Sequence, residues 1–242
     1  MIPFIDDLYW LQKINGIIGS NADYFYWILF SSDRLPWVLF SLALCGMWYF
    51  GTPGLLANKP GGLLRIHARL TTILTLGAMP VLFVAAKIIQ LNYDIQRPLS
   101  QVDILSIPIP PQIWSEVVDG LKFQNSFPSD HAAVFFLLAT VAFGLNRWFG
   151  LTTLVLATFF SLGRVALGFH WPSDIIFGAS IGILAGLSVL LLSFFLRNHY
   201  VSIQLPYRLS GLPSVFFYLF LFDCSYKFNH IIFSLEWLTG AL

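Results

Sequence analysis

Long apolar stretches constrain this chain more than any other feature. A helix needs about 20 mostly apolar residues to cross the hydrocarbon core of a membrane. Composition agrees with such helices, because 57% of the residues are hydrophobic and 10% are charged, against about 45–50% and 25% in soluble domains. The chain is therefore predicted to be an all-α, polytopic membrane bundle with five to six transmembrane helices. The five clearest stretches cover roughly 35–51, 70–90, 131–148, 149–168 and 174–196.

The two ends of the chain are less clearly apolar. Residues 1–34 are more polar than the five stretches and predict an interfacial helix or a weak extra crossing. Within the C-terminal residues 200–242, the short apolar stretch 213–223 and the moderately apolar stretch 228–242 each predict either a re-entrant element or one that lies on the membrane surface. With no soluble domain or internal repeat apparent, residues 1–242 are predicted to form a single integral membrane domain. Acidic Asp6 and Asp7 stand where a signal peptide has basic residues, so a cleaved signal peptide is not expected.

Basic residues predict the orientation of the bundle, because cytoplasmic loops carry an excess of lysine and arginine. The face with most of the basic loops is predicted to be cytoplasmic, which places the 91–130 loop outside. That loop is unusually long and contains a proline-rich stretch at 107–111 and a predicted short helix near 112–121. Loops of this length are commonly lids or binding elements. The basic residues of the predicted cytoplasmic face are Lys59, Arg65, Arg69, Arg147, Arg197 and Arg208.

Ionisable residues are scarce, so the places where they cluster carry the functional signal. Within or beside membrane helices such residues are costly and by default suggest a function. The alternative is a set of interfacial residues that snorkel or pair, but convergence on one face favours a site. Net charge is +1 and no basic run occurs, which gives no argument for nucleic-acid binding. Four groups are predicted to meet on the outer face: Arg97 with Pro98, Ser129-Asp130-His131, Arg164, and His170 with Asp174.

The spacing of His170 and Asp174 predicts a nucleophile. They are four positions apart, so in a helix they share one face. A carboxylate beside an imidazole fixes its tautomer and supports the positive charge that develops when the ring attacks. Arg97 and Arg164 suit the oxygens of a phosphoryl group, which a guanidinium binds through two hydrogen bonds. The pattern indicates phosphoryl transfer through a histidine.

Ser129-Asp130-His131 opens the third apolar stretch and predicts an anion site there. A helix N-terminus offers free backbone N–H groups and the positive end of the helix dipole. Ser129 adds a hydroxyl donor, and His131 is suited to protonate a leaving oxygen. A lone histidine at a helix start is more often structural, but the other motifs favour a catalytic role. Cys45 and Cys224, by contrast, are interpreted as inert buried thiols.

Three ordered motifs resemble those of the type 2 phosphatidic acid phosphatases (PAP2). They are Arg97-Pro98, Pro128-Ser129-Asp130-His131 and Arg164-x5-His170-x3-Asp174. The superfamily includes bacterial acid phosphatases and vanadium haloperoxidases, so the resemblance implies a PAP2/haloperoxidase-like helical core. It also implies chemistry without a metal or other cofactor.

The same resemblance implies a role for each matched residue. His170 would attack phosphorus and form a phosphohistidine, Asp174 would orient it, and His131 would protonate the leaving group and then activate water or an acceptor. The phosphate oxygens would be held by Arg97, Arg164 and Ser129.

The sequence departs from the family pattern at three positions. Where the family has a lysine before the first arginine, this chain has Gln90. Lys87 lies one helical turn earlier, and both residues are candidates for phosphate binding. Asp130 replaces a glycine at the same predicted phosphate site. There it should repel phosphate unless it turns away, caps the helix or pairs with a basic residue. Gly163 replaces the usual serine before the second arginine.

The substrate implied by the resemblance is a lipid phosphate. The chain is similar to bacterial undecaprenyl-diphosphate phosphatases, which share the aspartate at position 130, and to the lipid A phosphotransferase, which shares the glutamine. The expected function is hydrolysis of a polyprenyl diphosphate in the bacterial inner membrane, with the site facing the periplasm. The alternative is transfer of that phosphate to lipid A or another outer-leaflet lipid acceptor. A transporter is a remote third hypothesis.

Overall fold

Every regular element that the structure describes is a helix. The computed structural model describes residues 6–18, 22–33, 35–54, 62–101, 104–105 and 125–202. The predicted all-α bundle is confirmed, whereas the proline-rich stretch, the predicted helix near 112–121 and residues 203–242 lie outside the described ranges. The helices are α1 (Asp7–Asn15), α2 (Ala22–Asp33), α3 (Leu35–Gly54), α4 (Gly62–Asn92), α5 (Asp130–Leu145), α6 (Arg147–Ala166) and α7 (Pro172–Ser202).

Helices α3 to α7 overlap the five predicted crossings in order. Helix α5 is apolar but only 16 residues long, and it is buried along most of its length. Of residues 1–34, α2 contributes to a candidate membrane span, while α1 is a separate short helix. The described helices thus form a multi-pass membrane protein. Within the described ranges, four segments are long and apolar enough to cross a membrane: Asp23–Trp48, Ala68–Asn92, Arg147–Ala166 and Pro172–Leu196.

Helix α5 lies at the centre of the bundle and packs most closely against α7. Glycines on α7 make this approach feasible. A Cβ at Gly178 would lie 2.3 Å from the carbonyl oxygen of Ser129, and one at Gly182 would lie 2.1 Å from that of Ala133. Since no side chain fits there, the two backbones touch. The close contact sets the start of α5 directly against the first turns of α7.

The loop between α6 and α7, residues 167–171, is held against the segment that follows α4. Gly168 has φ of +72°, a left-handed conformation that glycine adopts without strain. Its carbonyl accepts from the Leu99 amide at 2.9 Å. The indole of Trp171 donates to the carbonyl of Gln96, also at 2.9 Å. Segments about 70 residues apart in sequence therefore meet at one end of the bundle.

Candidate active site

The three predicted motifs come together at this end of the bundle. Arg97, which follows α4, donates to the carbonyl of Phe169 at 2.8 Å in the α6–α7 loop. The amide of Ser129, which precedes α5, donates to the carbonyl of Asp174 at 3.2 Å in the first turn of α7. These two bonds join the first motif to the third and the second to the third.

Hydrogen bonds define the tautomer of His170, which is fully buried. Its Nε2 lies 3.3 Å from the guanidinium Nη1 of Arg97. Arginine only donates, so Nε2 must present its lone pair. Its Nδ1 lies 3.0 Å from the carbonyl oxygen of Ser126, which only accepts. The proton is therefore on Nδ1, and the lone pair of Nε2 is directed towards a cation.

The carboxylate of Asp174 supports this arrangement. Its Oδ2 lies 3.6 Å from Nδ1 of His170. The same oxygen accepts from the Trp171 amide at 2.9 Å and from the hydroxyl of Ser126. Ser126 thus contacts the histidine through its carbonyl and the aspartate through its side chain. Ser126 is not among the residues predicted from sequence, because a serine five positions before His131 has no periodic relation to His170.

Burial keeps His170 neutral. Removal from water lowers the pKa of His170 to about 4, and the positive charge of Arg97 acts in the same direction. The hydrogen bond to Asp174 opposes this shift but is outweighed. At neutral pH the ring carries no extra proton, so its Nε2 lone pair is available for attack.

Arg97 is a buried cation close to a second one. Burial lowers the pKa of Arg97 to about 10, and the charge of Arg164 contributes to the same shift. The residue remains protonated at neutral pH. Its Nη2 also donates to the carbonyl of Asn125 at 3.4 Å. Two guanidinium groups that repel each other across a buried site favour an anion between them.

Arg164 occupies the last turn of α6 and is also buried. Its Nη1 lies 3.5 Å from a carboxylate oxygen of Asp33, and its guanidinium lies 5.3 Å from the ring centre of Phe169. Its Nε is buried with no hydrogen-bond partner in the described part of the chain. The sequence did not predict Asp33 as a site residue, because no pattern relates two residues that are 131 positions apart.

The departure at Gly163 has a packing explanation. A Cβ at this position would lie 2.9 Å from the Cβ of Ser32 on α2. Ser32 is fully buried, and its hydroxyl donates to the carbonyl of Ile28 at 2.7 Å. Glycine therefore lets α2 approach α6, and this approach brings Asp33 to Arg164.

Asp130 pairs with His131. Pairing with a basic residue is one of the three arrangements that would let a carboxylate stand at a predicted phosphate site. Its Oδ1 lies 2.7 Å from Nδ1 of His131. A carboxylate accepts, so Nδ1 carries a proton and Nε2 is the nitrogen left for chemistry. That Nε2 is buried and has no hydrogen-bond partner among the described residues. The pair resembles the carboxylate–imidazole arrangement of Asp174 and His170.

Ser129 caps α5, as the predicted helix start requires. Its hydroxyl oxygen accepts from the amide of Ala132 at 3.4 Å, and the side chain is fully buried. The long distance indicates a weak cap bond. Because the hydroxyl oxygen is the acceptor in it, the hydroxyl proton takes no part in this bond. Among the described residues, no group of three or more His, Cys, Asp and Glu side chains is arranged to hold a metal.

Gln90 and Lys87 lie differently from the other candidates. The amide of Gln90 is buried and donates to the carbonyl of Pro128 at 3.0 Å, so it ties α4 to the turn before α5. Lys87 is exposed, and its ammonium lies 3.4 Å from the side-chain oxygen of Gln90. In this structure the glutamine supports the predicted phosphate site through this turn, and the lysine contacts the glutamine.

Residues 96–198 match the model of the PAP2 superfamily. The matched segment contains all three motifs and the helices α5 and α6, together with most of α7. The resemblance predicted from the motifs is thereby confirmed.

Curated relatives match over shorter segments. The bacitracin transport permease protein BcrC of Bacillus licheniformis is 38% identical over 68 residues, which is 28% of this chain and 34% of that protein. A protein of Escherichia coli (strain K12) named as an undecaprenyl-diphosphatase, YbjG, is 41% identical over 66 residues, 27% of this chain and 33% of that protein. The lipid A 1-phosphatase of Porphyromonas gingivalis is 36% identical over 66 residues, 26% of this chain and 15% of that protein. The matches thus span about a third or less of each relative.

Proposed function

We propose that this chain, whose residues 96–198 match the PAP2 superfamily, is a membrane lipid phosphatase that hydrolyses a polyprenyl diphosphate through a phosphohistidine. The observation that carries the proposal is the tautomer of His170. Its Nδ1 is 3.0 Å from the Ser126 carbonyl, and its Nε2 is 3.3 Å from Arg97. A neutral ring with its lone pair beside a cation is ready to attack an anionic phosphoryl group.

In the first step, Nε2 of His170 attacks the terminal phosphorus. A P–N bond forms while the bond from phosphorus to the bridging oxygen breaks, and the lipid monophosphate leaves with that oxygen. Arg97 and Arg164 would stabilise the charge on the transferring oxygens. The Ser126 carbonyl and the carboxylate of Asp174 would support the positive charge that develops on the ring.

In the second step, Nε2 of His131 would take a proton from water. The water oxygen attacks phosphorus, the P–N bond breaks, and inorganic phosphate leaves. His170 regains its lone pair, and the proton taken up by His131 returns to solvent. Asp130 stabilises the protonated His131 through the 2.7 Å contact. On this basis the aspartate assists general base catalysis.

A polyprenyl diphosphate suits the position of the site. The candidate residues stand at helix ends on one end of an apolar bundle, so a lipid tail can stay in the bilayer while its headgroup enters. The name of the Escherichia coli relative supports the same substrate class. We propose the bacterial inner membrane as the location, with the site facing outward.

Purified protein incubated with undecaprenyl diphosphate carrying a labelled terminal phosphate tests this function. The expected product is free inorganic phosphate together with undecaprenyl phosphate. A His170→Gln variant that inserts and folds is the matched control and should release none. No release from this substrate by the folded wild-type protein would refute the proposed substrate, and full release by His170→Gln would refute the nucleophile.

Transfer of phosphate to or from lipid A is the second candidate. It is favoured by the 36% identity to a lipid A 1-phosphatase over 66 residues. The same incubation with lipid A added distinguishes the two reactions. Label that appears on the added lipid A supports transfer. Release of inorganic phosphate at the same rate with and without lipid A supports hydrolysis. Labelled lipid A 1-phosphate supplied as the sole donor tests lipid A as a substrate.

The name of the Bacillus relative raises transport as a remote third candidate. Transporters bind substrate near the middle of the bilayer between repeats that rock past each other. Here the groups that converge are at helix ends: Asp130 begins α5, Arg164 is in the last turn of α6, and Asp174 is in the first turn of α7. This arrangement favours an enzyme that works at the membrane surface.

A further inference from the structure

Helix α1 lies outside the segment that matches the family model, yet it packs directly against the α6–α7 loop that carries His170. One face of α1 is buried through Asp7, Leu11 and Asn15. These positions recur every four residues, so they form a single stripe along the helix. Leu11 is fully buried and belongs to the apolar cluster that contains Leu167 and Phe169 of the loop.

Asp7, at one end of the stripe, holds the start of α7. Its Oδ1 accepts from the Ser173 amide at 2.9 Å, and its Oδ2 accepts from the Ser173 hydroxyl at 2.6 Å. Both side chains are buried. Ser173 directly precedes Asp174, the carboxylate that supports His170. A carboxylate at the N-terminus of a helix also interacts favourably with its dipole.

Asn15, at the other end of the stripe, holds the end of α6. Its Nδ2 donates to the carbonyl of Ala166 at 2.8 Å, and the side chain is 1% exposed. The last carbonyls of a helix lack partners within the helix, so this bond anchors the point where the chain leaves α6. Arg164 lies in the same last turn.

We propose that Asp7 and Asn15 form a clamp that positions the α6–α7 loop for catalysis. Their hydrogen bonds go to Ser173 and Ala166, so each acts on His170 through another residue: Asp7 through Ser173 and Asp174, and Asn15 through the end of α6. The inference rests on the proposed function, in that it takes His170 as the nucleophile. It adds a requirement for α1, an element that the family match does not include.

The clamp matters because attack on phosphorus depends on geometry. A displacement of about 1 Å at a reacting group can lower a rate by about 100-fold. The loop has only five residues, 167–171, between its two helices. A shift at either end therefore moves His170 relative to Arg97 and Ser126, whose contacts define its tautomer.

Asp7→Ala and Asp7→Asn test the clamp, with Asp6→Asn as a matched control. Asp6 is exposed and caps α1 by accepting from the Tyr9 amide at 3.1 Å, and asparagine is an equally good cap. For Asp7→Ala we expect a fall of about 10- to 100-fold in the single-turnover rate of phosphohistidine formation, with KM nearly unchanged. Asp7→Asn keeps one acceptor and should recover part of the rate, while Asp6→Asn should match wild type.

A double-mutant cycle with Ser173→Ala identifies the path. If Asp7 acts through Ser173, the effects of Asp7→Ala and Ser173→Ala on the rate will not add. Fully additive effects would overturn that path. Thermal unfolding in detergent verifies that each variant folds, and rates are compared per folded molecule. A loss that tracks only the folded fraction would overturn the positioning role, as would an equal loss in Asp6→Asn.

Nitrogen NMR of protein labelled at histidine provides a readout that does not need turnover. The His170 signals are identified as those that disappear in His170→Gln. They should report a proton on Nδ1 in wild type and a mixture of tautomers in Asp7→Ala. Unchanged signals together with a wild-type rate would overturn the clamp. If wild type releases phosphate from none of the lipids tested, the proposed function fails, and a changed His170 tautomer in Asp7→Ala would still support the clamp.

Discussion

Two buried histidines in this site have the same tautomer but differ in what their Nε2 atoms contact. Each carries its proton on Nδ1, held by Ser126 and Asp174 in one case and by Asp130 in the other. His170 presents Nε2 to Arg97, whereas the Nε2 of His131 has no partner among the described residues. A cation beside His170 favours the neutral ring, which is a nucleophile. The carboxylate beside His131 stabilises the protonated form through which an acid–base catalyst passes.

Replacing each histidine by glutamine should separate the two proposed steps. With a diphosphate substrate the leaving group is a phosphate, which needs little protonation, so His131→Gln should still form the phosphohistidine. Hydrolysis of that intermediate needs a base, so the intermediate should accumulate. His170→Gln should form none. Acid-labile label on the protein after brief exposure to radiolabelled substrate measures both.

The double variant His131→Gln/His170→Gln is the control for this trapping experiment. It should carry no label, because removal of the nucleophile precedes the step in which His131 acts. Label that persists in the double variant would place the phosphate on another residue. Absence of label in His131→Gln, with substrate still bound, would instead make His131 essential for the first step.

The low pKa of His170 predicts a specific dependence on pH. The unfolded chain takes up a proton on this ring below its usual pKa of 6.5, but the folded protein does so only near 4. Its contribution to stability is therefore present above pH 6.5 and is lost as the pH falls towards 4. Nitrogen NMR should show a neutral His170 at pH 5, and His170→Gln should weaken the decrease in unfolding temperature between pH 7 and 5. Protonation near pH 6.5 would contradict this prediction.

The sequence predicted those site residues that a motif or a helical spacing connects. His170 and Asp174 are four apart, and Ser129 stands at a helix start, so local geometry is enough to link them. Asp33 and Asp7 meet Arg164 and Ser173 across 131 and 166 positions. No periodicity relates such distant positions. Acidic Asp7 was informative from sequence only as evidence against a signal peptide.

At the scale of the helices, apolar length predicted α3 to α7, but it did not predict how closely they pack. Contact between α5 and α7 depends on backbone approach at Gly178 and Gly182, and a hydropathy pattern does not distinguish such a glycine from any other. The same limit applies to α1. It is short, and it presents a buried stripe on one side and exposed Tyr9 and Trp10 on the other, so its sequence fits an interfacial helix without indicating what it packs against.

Gly182→Ala should destabilise the bundle and reduce activity together. The added Cβ would lie 2.1 Å from the carbonyl oxygen of Ala133, and backbone cannot move aside as a flexible side chain can. Overpacking of this kind costs about 1–3 kcal/mol. Because α5 carries His131, a shift of α5 away from α7 also disturbs the site. Thermal unfolding in detergent and phosphate release measure the two effects.

Gly77→Ala on α4 is the matched control for this substitution. A Cβ at Gly77 would meet nothing within 4 Å, so alanine should be tolerated and should stabilise the helix by about 0.5–1 kcal/mol. Equal destabilisation by both substitutions would show that a general loss of glycine, and not the α5–α7 contact, is responsible.

At the scale of the whole molecule, a large apolar surface surrounds a small polar end. The described helices expose many large apolar side chains, among them Val81, Leu184 and Phe195. The buried charges Arg97, Arg164 and Asp174 gather where α4 and α6 end and α5 and α7 begin. This polarity fits the proposed lipid diphosphate, whose tail would stay in hydrocarbon while its headgroup lies among cations.

Which side of the membrane this polar end faces decides which leaflet supplies the substrate. The positive-inside rule predicts that the loop with Arg147 is cytoplasmic and that the site lies outside. Asp94 follows α4 near the site, whereas Arg147 begins α6 at the other end of a 20-residue helix, about 30 Å away. Both are exposed, so cysteines introduced at these positions can be labelled.

Asp94→Cys and Arg147→Cys, each made with Cys45→Ser and Cys224→Ser, test the orientation in bacterial spheroplasts. A maleimide that cannot cross the membrane should label Asp94→Cys in intact spheroplasts, and Arg147→Cys only after permeabilisation. Phosphate release by both variants shows that the labelled molecules are folded. The reverse pattern would place the site in the cytoplasm. Lipid A presented on the outer leaflet would then be out of reach as an acceptor, and phosphotransfer to it would be excluded together with the predicted orientation.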